Sequence, residues 1–99
     1  MDNVRRYSSF IKRIVTAPEH IRVKLLKSSN DKIITAISEI ILNIIHKNIK
    51  VSKPVLQELQ KFKRVLYKLV NRRQKTSTKQ RRHILVKNPK CLSPLIALF

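Results

Sequence analysis

Ninety-nine residues carry 23 Lys and Arg against 5 Asp and Glu, a net charge of +18, with 42% hydrophobic residues, 1 Cys and no Gly. This length permits one domain with a modest core. The missing glycine argues against tight hairpins and phosphate-cradling glycine loops, and the lone Cys91 excludes an internal disulfide.

Residues 1–15 lack the apolar stretch of a secretion signal, because Arg5, Arg6, Lys12 and Arg13 interrupt it. Residues 3–16 instead read as a first helix with Asp2 as N-cap. Val4, Tyr7, Phe10, Ile11 and Ile14 share one side, and the four bases lie mostly on the other. A surface helix closing a core has this pattern; so does a basic helix lying on phosphate or lipid. Ala17-Pro18 breaks the chain. Pro18 suits the first turn of a second helix over 18–28, with Glu19 favourable near its N-terminus and Ile21, Leu25 and Leu26 apolar. Ser28, Ser29 and Asn30 supply the next turn and an N-cap.

Residues 31–46 carry the strongest pattern in the chain. Ile33, Ile34, Ile37, Ile40, Ile41, Ile44 and Ile45 fall at the spacing of one helical face. Asp31, Thr35, Ser38, Glu39 and Asn43 lie largely off it. A strand would bring residues two apart together, which this spacing does not do. Burying such side chains is worth about 1.5–3 kcal/mol each, so this helix is expected to be the scaffold. Asn48 is placed for the left-handed position after it.

Ile49, Lys50 and Val51 read as a short extended connector. Ser52 then caps a fourth helix, with Pro54 in its first turn, that runs to Arg72. Its stripe is Val55, Leu56, Leu59, Phe62, Val65, Leu66, Leu69 and Val70. The short connector makes the third and fourth helices an antiparallel pair. Residues 72–78 read as a flexible linker. Thr78 caps a short helix that ends before Asn88-Pro89. The last segment is apolar except for Ser93, and Pro94 can start a final turn. The expected fold is therefore all-α: a small helical bundle over residues 1–72 centred on the antiparallel pair, then a basic linker and tail over 73–99.

No catalytic constellation stands out, and neither enzymatic activity nor a cofactor is expected. His20, His46 and His83 are dispersed and lack partners at ligand spacing. Cys91 reads as a small apolar residue despite Lys87 and Lys90 nearby. The bases are the candidates. All five acids precede Lys61, and twelve bases follow between Lys61 and Lys90. Predicted nucleic-acid contacts are Lys61, Lys63, Arg64, Lys68, Arg72, Arg73, Lys75, Lys79, Arg81, Arg82 and Lys87. Arg72-Arg73 and Arg81-Arg82 lead, because guanidinium forks onto phosphate oxygens. Aromatics near them are few, Phe62 and Tyr67, so base stacking has little support.

Leu92, Leu95, Ile96, Leu98 and Phe99 are expected to close over the core. The alternatives are docking of this segment to a partner protein or a membrane interface, and a membrane-active chain is the second functional reading. Third is a small RNA-bound scaffold protein. Packing into a homo-oligomer is compatible with so small a core.

The run Glu39 to Val51, EIILNIIHKNIKV, resembles the pattern E-x-x-L-N-hydrophobic-L-x-G-N-I-x-L. Leu59, Lys63, Leu66 and Leu69 resemble that pattern's second helix, and KQRRHILV at 79–86 resembles its basic K-K-R-x-L-V segment. Together these motifs are similar to a small basic protein of Polinton/Maverick elements and adintovirus-like viruses, a family compared with adenovirus-type core proteins. Lys47 stands where the pattern has glycine, and residues 87–92 lack its Gly-Gly-Phe. The resemblance implies a virion or transposon-derived component that binds packaged DNA, with DNA favoured over RNA, located in the virion or host nucleus.

Overall fold

A computed structural model of the chain describes residues 2–46, 49–70 and 76–98. Among them every regular element is helical: α1 (Asp2–Arg6), α2 (Ser8–Thr16), α3 (Glu19–Ser28), α4 (Asp31–Ile45), α5 (Lys53–Lys61), α6 (Lys63–Val70), α7 (Thr78–Lys87) and a 3-10 helix (Pro89–Leu98). The radius of gyration, 12.2 Å, matches the roughly 13 Å of about 100 residues packed as one body.

The isoleucine helix is central. Ile33, Ile34, Ile37, Ile40, Ile41 and Ile44 are buried, and Ile45 is half-buried. Asn30 caps α4 through its side-chain oxygen, which accepts from the Ile33 N–H at 2.9 Å. Ala36 and Ser38 are buried too, so the covered arc is wider than the isoleucine stripe. The reason is that α1, α6 and α7 all pack on α4. Ser38 tolerates burial because its hydroxyl donates to the Ile34 carbonyl at 3.0 Å.

Two helices expected to be continuous are each broken at one aromatic residue. Tyr7 separates α1 from α2, with φ −108° and ψ 14°. Phe62 separates α5 from α6, with φ −109° and ψ 19°. Both sit in the bridge region, where a helix can turn without losing its chain direction entirely. Each break lets two half-helices meet different partners. α1 packs on α4 while α2 packs on α3 and the 3-10 helix; α6 packs on α4 while α5 packs on the 3-10 helix. The isoleucine helix therefore meets the second half of the leucine stripe. Leu59, Leu66, Leu69 and Val70 are buried, whereas Leu56 is 42% exposed. Between the end of α4, the 49–51 connector, α5 and α6 lies a groove of about 930 Å³.

Residues 78–98, within the expected basic linker and tail, form α7 and the 3-10 helix. α7 starts one residue earlier than expected, on a capping box: the Ser77 hydroxyl accepts from the Gln80 N–H at 3.2 Å, and the Gln80 side-chain oxygen accepts from the Ser77 N–H at 2.9 Å. Leu85, Cys91, Leu92 and Leu95 are fully buried in the same cluster as the isoleucines. Of the residues expected to close over the core, Leu92 and Leu95 do so, Leu98 is half-buried, Ile96 is exposed, and Phe99 lies outside the described residues.

A buried arginine fastens that closure. Arg22 is only 5% exposed. Its Nε donates to the Ile14 carbonyl at 3.0 Å, and its Nη2 donates to the carbonyls of Val15 and Ala17 at 2.7 and 3.2 Å. Its Nη1 donates to the Pro89 carbonyl at 2.7 Å and the Ser93 hydroxyl at 3.0 Å. The acceptors at Ile14, Val15 and Ala17 are carbonyls at the C-terminal end and cap of α2, where a helix carries partial negative charge. The guanidinium thus neutralises one helix end and ties it to the 3-10 helix.

Burial pushes the Arg22 guanidinium below its ordinary value, with Cys91 and Glu19 pulling the other way. Burial also pushes the Cys91 thiol up to about 12, opposed by the Arg22 charge and a backbone hydrogen bond. The folded thiol therefore holds its proton where an unfolded thiol, near pKa 8.5, has lost it. Its stabilising contribution is complete below pH 8.5 and is lost as pH rises towards 12. The expected slope is up to about 1.4 kcal/mol per pH unit in that window. Urea unfolding from pH 8 to 10.5, compared between the native chain and Cys91→Ala, checks this. The native chain should lose stability faster; parallel curves would contradict it.

Candidate nucleic-acid interface

The predicted bases are spread over α5, α6 and α7, and the structure sorts them by what they already touch. Lys63, Arg64, Lys68, Lys79 and Lys87 are exposed. None of them is in an ion pair among the described residues. Lys61 is also exposed, and its Nζ meets Glu58 at 2.9 Å. With both side chains more than half solvated, that pair contributes little and gives way readily to a phosphate.

Arg82 is different. Its Nη2 donates to the Asp31 carboxylate at 2.7 Å and to the Ser29 carbonyl at 3.0 Å. Arg82 therefore joins α7 to the turn between α3 and α4, and its side chain is only 23% exposed. Arg81 beside it is half-buried. The Nε atoms of both are buried and have no hydrogen-bond partner among the described residues. Arg82, one of the pair expected to lead phosphate binding, is thus committed to the fold. Arg72, Arg73 and Lys75 lie outside the described residues.

Sequence reasoning also drew the basic surface too small. Arg5, Arg6, Lys12, Arg13, Lys24, Lys27 and Lys32 are exposed on α1 to α4. Positive charge consequently surrounds the molecule, and the acid-free stretch after Glu58 is only its densest part. Arg22 was missed as a structural residue. It lies one helical turn before Leu26, but the acceptors that bury it come from other elements.

Lys63 Nζ sits 5.9 Å from the centre of the Tyr67 ring, and Tyr67 is 50% exposed. This is the one exposed aromatic beside predicted contacts among the described residues, enough for a single stacking platform and no more. The three histidines are exposed and apart. Among the described residues no group of three or more His, Cys, Asp or Glu could hold a metal ion. No helix of the described residues is long and apolar enough to cross a membrane.

The surface can therefore neutralise phosphates. Compared with known proteins, the chain matches no family, no curated protein and no solved structure.

Proposed function

We propose that the protein is a non-enzymatic, sequence-nonspecific DNA-binding and compacting protein. The observation that carries this reading is the net charge of +18 displayed on nearly every element, with two ion pairs among the described residues to offset it. Lysine and arginine at a surface displace condensed counterions from a polyanion, and that release drives binding without reference to sequence. Spread over all sides, such charge favours bridging between DNA segments over docking in one groove. The resemblance to basic proteins of Polinton/Maverick elements and adintovirus-like viruses supplies the setting: packaged DNA, in a virion or host nucleus.

The membrane-interfacial reading rests on the amphipathic N-terminal helix and the apolar C-terminus, and in the latter Leu92 and Leu95 are fully buried. RNA offers the same phosphates as DNA. A filter-binding titration with duplex DNA and RNA hairpins of matched length distinguishes the two. If six to ten phosphates are engaged, DNA affinity should fall by about 10³–10⁵-fold between 50 and 200 mM salt, alike for unrelated sequences. Binding absent at 50 mM, flat across salt, or stronger to RNA would overturn the proposal.

A further inference from the structure

The groove between α4, the connector, α5 and α6 cannot be accounted for by polyanion binding. Its floor is Ile41, Ile44, Leu59 and Leu66, and its outer edge is Leu56 and Tyr67, which are 42% and 50% exposed. Phosphate gains nothing from such a floor. Lys50 and Lys63 also line it, and no acid does. We propose that this groove docks an acidic amphipathic helix of a partner protein.

Three observations select that occupant. The lining is cationic at its polar positions, so the partner must carry negative charge beside its apolar face. That requirement excludes a second copy, which would bring the same lysines and a net charge of +18 against them. Three of the four walls are helices, whose N–H and C=O groups bond within the helix, and the 49–51 connector is too short to pair with a strand along the groove. An extended peptide would therefore leave its own backbone unpaired against isoleucine and leucine, whereas a helix satisfies its backbone internally and offers side chains alone. Finally, the apolar surface continues past the cleft onto Leu56 and Tyr67. A helix covers both edges; a single alkyl chain lying in the cleft leaves them wet.

The test uses the full chain and a fluorescein-labelled helical peptide of about four turns. It carries leucine at i, i+3, i+4 and i+7 and glutamate on the flanks. A scrambled peptide of identical composition controls for charge alone. In anisotropy titrations the patterned peptide should bind about tenfold or more tightly than the scramble. Leu56→Gln should abolish that preference while leaving the helical circular dichroism and duplex DNA affinity within twofold. Val51→Gln, on the connector side of the same groove, serves the same purpose if Leu56→Gln fails to fold. Equal binding of the two peptides overturns the proposal, as does a preference that survives both substitutions. Leu56-dependent binding of dodecanoate or of anionic vesicles without patterned-peptide binding also overturns it, as does Leu56-dependent self-association in sedimentation. Loss of DNA binding by the native chain with the peptide preference intact would strike only the polyanion reading.

Discussion

Arg22→Ala is expected to destabilise the protein by about 3–5 kcal/mol, the range for removing one member of a buried charged network. The substitution strips donors from the carbonyls of Ile14, Val15, Ala17 and Pro89 and from the Ser93 hydroxyl in one step. Several of those acceptors are enclosed, and a buried acceptor left without a partner costs about 1–3 kcal/mol. Shrinking the side chain also leaves a cavity between α2, α3 and the 3-10 helix. In a domain of this size each kcal/mol lowers Tm by about 4–8 °C, so thermal melting followed by circular dichroism should show a fall of at least 12 °C. Arg22→Lys should recover part of the loss, since ammonium keeps the charge but has three donors and no planar fork. A fall under 3 °C for the alanine variant would mean that water or rearranged backbone replaces the guanidinium.

Ending the chain after Asn88 should have a still larger effect. That truncation removes Cys91, Leu92 and Leu95, all fully buried, together with buried Pro89 and Pro94. Burial of each leucine alone is worth about 1.5–3 kcal/mol. It also exposes the apolar sides of α2, α3 and α5 that the 3-10 helix covers, and it takes away two of the five Arg22 acceptors. Small domains have about 5–15 kcal/mol in total. The truncated chain is expected to lose cooperative unfolding and to bind a hydrophobic dye, as read by urea titration and ANS fluorescence. A sharp transition with unchanged midpoint would show the segment to be dispensable.

The legible part of this fold was its periodicity. The isoleucine spacing of 33–45 fixed a buried helix, the Asn30 cap and the Pro18 and Pro54 starts fell where local chemistry puts them, and the all-α class followed. The breaks at Tyr7 and Phe62 were not legible, because each lies inside an unbroken apolar stripe and is imposed by which neighbours the two halves meet. The same limit applied to charge. Lys63, Arg64 and Lys68 could be placed on a solvent face from the pattern of α6 alone. Arg22 and Arg82 could not be told from surface bases, since their acceptors come from residues 5 to 71 positions away. Composition revealed a positive molecule; which positive groups are free is decided by tertiary contacts.

The Arg22 clamp has a kinetic meaning as well. It joins residues separated by 67 and 71 positions in a chain of 99. Contacts that close so large a loop carry a high entropic cost until most of the intervening structure exists. The clamp therefore forms late, after the isoleucine helix has gathered its neighbours. Interactions absent from the folding transition state leave the folding rate nearly untouched and act on the rate of unfolding. One arginine, set in an early helix and completed by the last residues to arrive, thus acts as the latch that keeps an already assembled globule from reopening.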